Sequence, residues 1–123
     1  MSGIKNFCPR RGIIADFNLD PTKSSETGKI RPCIVVSNDI YNQKLSVIQI
    51  VPITQWSAKK GRIITNVLLN PTTANGLLKK SIADCLQTRP IDYSERYIRQ
   101  RGQISEQVLL KIDEALKIIF GLD

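Results

Sequence analysis

Pro32-Cys33-Ile34-Val35-Val36-Ser37 and, beyond a short polar stretch, Ser46-Val47-Ile48-Gln49-Ile50-Val51-Pro52-Ile53 are two apolar runs dominated by β-branched residues. Runs of this length, bounded by turn residues, suit strands buried in a sheet better than helices, which need more residues to close their turns. Residues 38–44 between them carry turn-forming Asn38, Asp39 and Asn42. Arg31 precedes a proline and is therefore biased to extended backbone at the start of its strand. Pro52 has no N–H to give a ladder, so the later strand is expected to end or bulge there, just before Thr54.

Outward from this pair, residues 12–17 read as an earlier strand through Ile13, Ile14, Ala15 and Phe17. Residues 18–30 form a polar loop with Pro21, Ser24, Ser25, Thr27 and Gly28. A loop that long in a small domain is more often functional than not. Downstream, residues 55–61 read as a basic loop holding Trp56 and running into Lys59-Lys60-Gly61-Arg62. Residues 65–69 form a fourth strand, and residues 70–80, with Pro71 and Asn75-Gly76, a connection. Residues 81–87 form a fifth strand, 88–96 a turn or short helix, and 97–103 a sixth strand or an extension.

The last segment is a helix. Ser105 is a good N-cap, and Val108, Leu109, Ile112, Ala115, Leu116 and Ile119 lie on one apolar stripe. Gly121 is placed to end it. Leu110 and Ile118 lie off that stripe and suggest a second apolar contact, such as a dimer partner. Five or six short strands followed by one amphipathic helix predict a mainly β (α+β) chain: a small antiparallel barrel covered by a terminal helix, one domain over residues 1–123.

Composition narrows the chemistry. Of 123 residues, 18 are Lys or Arg and 11 Asp or Glu, a net charge of +7 that suits a polyanionic partner. There is no histidine, which removes Ser–His and Cys–His nucleophile pairs, paired-histidine nuclease chemistry and His-based zinc sites. Cys8, Cys33 and Cys85 match no ligand spacing and read as buried or incidental thiols of a reducing cytosol. No apolar run approaches the roughly 20 residues of a membrane span, and residues 1–11 hold no signal-peptide core, so a cytoplasmic protein is expected.

Ser25-Glu26-Thr27-Gly28-Lys29-Ile30-Arg31-Pro32 leading into the first quoted run, then Val51-Pro52-Ile53-Thr54, then Gln87-Thr88-Arg89-Pro90-Ile91-Asp92 form an ordered set. In order and spacing, with Arg11-Gly12-Ile13-Ile14 before and Asn75-Gly76-Leu77 between, this set resembles the MazF/PemK toxin family over residues 10–122. The resemblance implies a Src-homology-three-like barrel, usually a homodimer. It implies cleavage of single-stranded RNA by the ribose 2′-hydroxyl, without metal or cofactor, leaving a 2′,3′-cyclic phosphate and a 5′-hydroxyl. It also implies a cognate antitoxin, acidic and partly disordered, with DNA engaged only indirectly through that antitoxin. Arg31 and Thr54 match the family's catalytic positions, and Glu26 a loop acid that could take a proton or hold Arg31. Gln87 and Arg89 match positions lining the RNA groove, with Ser25, Lys29 and Gln55 beside the catalytic set. Lys59, Lys60 and Arg62 are candidate phosphate contacts or a solvated loop, and Trp56 a stacking platform for a base or a rim aromatic. Pro90 stands where relatives commonly carry a hydroxyl residue. The alternatives are a CcdB-like gyrase inhibitor of the same barrel, or a catalytically silent RNA-binding barrel.

Overall fold

The computed structural model describes residues 7–19 and 30–123. Seven strands, β1 (Ile13–Asn18), β2 (Ile30–Val35), β3 (Val47–Gln55), β4 (Asn66–Leu69), β5 (Ser81–Asp84), β6 (Arg89–Asp92) and β7 (Tyr97–Gln103), form one antiparallel sheet. Their order is β4-β5-β3-β2-β1-β7, with β6 also on β3. Four helices accompany them: α1 (Asp39–Lys44), α2 (Ala58–Gly61), α3 (Tyr93–Arg96) and α4 (Glu106–Phe120).

Strand β3 organises the sheet. Along one edge it pairs β2; along the other it pairs β6 through residues 47–50 and β5 through residues 53–55. Its side chains alternate between two cores. Val51 and Ile53 point to a core shared with Ile14, Ile34 and Leu69 and covered by α4. Ile48 and Ile50 point to a second core with Phe17, Cys33 and Val35, closed by Phe7, Tyr93 and Tyr97. There the Phe7 ring stacks on Tyr97 with centroids 4.0 Å apart.

The α4 stripe behaves as its periodicity requires. Ile112 and Ala115 are buried, with Val108, Leu109, Leu116 and Ile119 packed around them. Ser105 Oγ accepts from the Val108 N–H, and Gly121 ends the helix at φ 69°. Leu110 and Ile118 are exposed.

Three expectations change. First, β3 neither ends nor bulges at Pro52. The Gln49 carbonyl accepts from Val36 on the β2 side and the Ile50 carbonyl from Thr88 Oγ1 on the other, so by alternation the Pro52 nitrogen faces the β5/β6 edge. There the single 3₁₀ turn Cys85–Gln87 interrupts the ladder, and no donor is needed. That turn also shortens the expected fifth strand, which stops at Asp84. Second, residues 88–96 contain strand β6 before α3. Pro90 sits opposite Gln49, whose own backbone groups face β2, so its missing N–H lies on the unpaired side. Third, residues 39–44 form α1 where turn residues were read, because Asn38 caps it and buried Asn42 donates to the Ser37 carbonyl and to Asp39. Residues 58–61 of the expected basic loop likewise wind into α2, capped by Ser57. The expected mainly β, antiparallel fold with its terminal helix is the one observed, its ladder running from β4 at one end to β7 at the other. The Asn75–Gly76 turn is tied to β7: the Gln103 N–H donates to the Ala74 carbonyl, and a Cβ on Gly76 or Gly102 would collide with the facing backbone.

One buried charge stands out. Asp16 on β1 is 4% exposed and accepts from Arg101 Nε at 2.6 Å and Arg99 Nε at 2.9 Å, both on β7. Removing one member of such a buried pair typically costs about 3–5 kcal/mol, because the other charge stays behind without its partner.

Candidate active site

The β2–β3 ladder pairs Val35 with Ile50, Ile34 with Val51 and Cys33 with Pro52. Continued for two residues past its last pair, the same register sets Arg31 opposite Thr54. Residues directly opposite on antiparallel strands share a face, with Cβ atoms about 4.5–5.5 Å apart. The start of one strand thus meets the end of the next, and Arg31 and Thr54 together line two adjoining clefts.

The first cleft, about 230 Å³, continues from this pair past Gln55 to Leu77, Lys79 and Arg101. The second, about 330 Å³, continues past Asp84 to Gln87 and Arg89, with Leu19 on its wall. Arg31 and Thr54 therefore form the junction of a groove running both ways. Its described charged groups are four arginines and lysines against one carboxylate, Asp84.

Among the described residues the Arg31 guanidinium joins none of the ion pairs, and its side chain is exposed, ready for an anion. Thr54 is prepared differently. Lys60 Nζ donates to Thr54 Oγ1 and to the Gln55 carbonyl, each at 3.3 Å. An ammonium has only protons to give, so it occupies an Oγ1 lone pair and turns the threonine's own O–H away. Thr54 is left as a donor to a ligand.

Of the expected contact residues, the fold brings Gln55, Gln87 and Arg89 to the clefts and Lys60 to Thr54. Lys59 and Arg62 are exposed and line neither cleft, because α2 carries Lys60 inward and leaves them outward. Trp56 is not at the clefts either. Its ring packs against Gly61, and Lys80 Nζ sits over it, 4.0 Å from the centroid. A cation–π contact holds it there. Ser25, Glu26 and Lys29 lie outside the described residues.

The sequence reading missed Lys79, Asp84 and Arg101. The Lys79-Lys80 doublet before β5 was a usable signal. Arg101 had none, since the partner that places it, Asp16, is 85 residues away.

The two buried thiols are shielded from chemistry at the clefts. Cys33 is pushed up to about 12 by burial first and by Asp16 second, against the opposing pull of Arg89 and Arg31. Cys85 is pushed up to about 12 by burial and by Asp84. Both stay protonated at neutral pH and are poor nucleophiles. Cys8, also free, is exposed.

Comparison with known proteins gives a consistent answer. Residues 10–120 match the family described as PemK-like, MazF-like toxin of type II toxin–antitoxin system. The chain is 40% identical to endoribonuclease MazF9 of Mycobacterium tuberculosis over 118 residues, 92% of this chain and 97% of that protein. It is 30% identical to endoribonuclease EndoA of Bacillus subtilis over 113 residues, 92% of this chain and 95% of that one. Among solved structures, the MazE–MazF crystal structure (form II) from Deinococcus radiodurans superposes with a TM-score of 0.78 at 21% identity, covering 96% of this chain and 100% of that chain. The Mycobacterium tuberculosis toxin MazF-mt6 gives 0.72 at 24% identity, covering 90% and 98%. At these identities the superpositions speak for the fold.

Proposed function

The chain belongs to the family of PemK-like, MazF-like toxins of type II toxin–antitoxin systems and is an endoribonuclease; we propose that it cuts single-stranded RNA at the Arg31–Thr54 junction, without a metal. The observation that carries this reading is the junction itself. A cation free of protein partners among the described residues and a hydroxyl oriented as a donor sit together where two basic clefts meet.

RNA brings its own nucleophile. The 2′-oxygen bonds to the adjacent phosphorus, the bond from phosphorus to the 5′-oxygen breaks, and the products are a 2′,3′-cyclic phosphate and a 5′-hydroxyl. The protein must orient the phosphate, stabilise the added charge of the pentavalent transition state, and move two protons. Arg31 grips two phosphate oxygens with its planar fork, and Thr54 donates to the phosphoryl oxygen or orients the 2′-hydroxyl. A carboxylate takes the 2′-proton, and the leaving 5′-oxygen takes a proton from water in the open groove. Glu26 matches the family's loop acid, which could take the 2′-proton or hold Arg31, and Asp84 is the described carboxylate lining the same cleft as Arg31 and Thr54. Support for metal independence comes from the absence of histidine and from the ligand inventory. Among the described residues, no three His, Cys, Asp or Glu side chains gather where a metal ion could be held.

The partners follow from the same reading. A cognate antitoxin with an acidic segment complements these basic clefts, and blocks RNA by occupying them. The protein acts in the cytoplasm as a homodimer, whose contact is supplied by apolar residues left outside the core: Ile64, Leu68 and Ile118 around one surface hollow, with Leu110 also exposed. Light scattering at micromolar concentration should return the dimer mass; a monomer would remove this assignment.

The test of the activity is to incubate purified protein with end-labelled single-stranded RNA and to map the product ends. The expected result is cleavage at a short recurring sequence, with 5′-hydroxyl and cyclic-phosphate termini. Products ending in 5′-phosphate would mean that water or another nucleophile attacks, and would overturn the mechanism.

A further inference from the structure

Among the described residues, Arg101 is the cation lining the clefts whose guanidinium is anchored by hydrogen bonds. Its Nε donates to Asp16 Oδ1 at 2.6 Å and its Nη1 to the Gly76 carbonyl at 3.1 Å, and its side chain is 19% exposed. Both anchors are themselves held. Asp16 is buried within β1, beside Pro32 of β2 in the ladder. Gly76 belongs to a turn locked by Asn75, which accepts from the Thr72 and Leu77 N–H groups and donates to the Asn70 carbonyl. The same turn lies so close to β7 that a Cβ on Gly76 or Gly102 would collide with backbone. Rigid backbone therefore brings a guanidinium to the wall of the cleft that begins at Arg31 and Thr54.

The pairing does not silence its charge. Asp16 serves two arginines, and the other, Arg99, is 64% exposed on the outer side. One carboxylate against two guanidiniums leaves the group net positive. Among the described residues, two of Arg101's five N–H donors are committed, which leaves the others for a ligand. An ion pair needed only for stability would not have to line a cleft; this one does.

Size and charge select the ligand. At about 230 Å³ the cleft falls below the roughly 300–1,000 Å³ of pockets that enclose whole ligands, so it suits one segment of a continuing chain. With the scissile phosphate at the Arg31–Thr54 junction, a strand entering this cleft carries its next phosphate past Lys79 and Arg101. Lys79 is an exposed ammonium on a flexible stem, whereas Arg101 is pre-organised. We propose that Arg101 is a substrate-positioning residue that grips the phosphodiester adjacent to the scissile one, with Asp16 as its buried anchor. This rests on the RNA-cleaving reading above. It adds that strand register is set by a fixed cation, while the exposed Arg31 is ordered by the scissile phosphate.

The test uses a short RNA containing one mapped cleavage site, made uncleavable by 2′-deoxyribose at the scissile nucleotide. Single methylphosphonates, which are neutral, are walked through its linkages. In the wild type, one linkage next to the scissile phosphate should cost on the order of tenfold in affinity. In Arg101→Gln, which keeps a hydrogen-bonding group without the charge, that linkage alone should fall silent while the others keep their cost. The variant's log–log salt slope of binding should be shallower by about 0.7, one phosphate's worth for a single strand. With cleavable RNA, half-saturation should shift on the order of tenfold, well beyond any drop in the saturated rate. Equal methylphosphonate profiles in the two proteins would overturn the role of Arg101. So would a wild type that cuts RNA with no costly adjacent linkage, a result independent of whether the variant folds. A wild type that neither binds nor cuts RNA would instead overturn the parent reading, and this one with it.

Discussion

Arg31→Ala is expected to lower the single-turnover rate of RNA cleavage by on the order of 10² to 10³, the scale for losing one donor that stabilises the transition-state charge. The effect should fall on the rate more than on affinity, because the remaining cations of the two clefts still hold the backbone. The fold should be unaffected, since Arg31 is exposed and joins none of the ion pairs among the described residues. Arg31→Lys should not restore the rate, because an ammonium is a point charge that cannot bridge two phosphate oxygens in a plane. Thr54→Ala should also slow the reaction and leave Lys60 without its hydroxyl acceptor. The double variant should be less than additive, as both groups act on one phosphate. Rapid-quench measurement at saturating RNA reads all of these, and near-normal cleavage by Arg31→Ala would remove the centre of the mechanism.

The larger effect is on the substrate side. A strand with 2′-deoxyribose at the scissile nucleotide should not be cut at all, whereas EDTA should leave cleavage of the all-ribose strand unchanged. The 2′-hydroxyl is the only nucleophile this mechanism supplies, for the buried thiols Cys33 and Cys85 are held protonated with their values pushed up to about 12. Affinity for the deoxy strand should survive, because phosphates supply most of the binding to a basic groove. Cutting of the deoxy strand would mean an outside nucleophile. Loss of cleavage in EDTA would mean that a divalent ion holds the phosphate in place of Arg31.

Local pattern carried far in this chain wherever one element decides its own form. The helix was readable to its caps, because Ser105, Gly121 and the apolar stripe act within a few turns of one another. Strands β1, β2, β4 and β7 were readable within a residue or two. Pro52 misled. It was judged by the N–H it lacks, but the cost of that loss depends on which edge of which neighbour it faces. At Pro52 the edge is opened by a 3₁₀ turn more than thirty residues downstream; at Pro90 it has no partner strand.

The site divides along the same line. Arg31, Thr54, Gln87 and Arg89 could be named from short ordered motifs: Arg31, Thr54 and Arg89 sit near strand ends and Gln87 in the turn between two strands, and such boundaries are locally encoded. Arrangement in space was another matter. Only the register of β2 on β3 sets Arg31 beside Thr54, and only α2 turns Lys60 inward while leaving Lys59 and Arg62 in water. Arg101 shows the limit most plainly: it is one cation of a basic strand until Asp16, 85 residues earlier, and the Asn75–Gly76 turn fix it at the cleft. Periodicity, capping and turn chemistry are sums over neighbours in the chain, so the residues display them in order. A groove is a sum over neighbours in space, and contacts between strands distant in sequence come into being only when the sheet closes over its two cores.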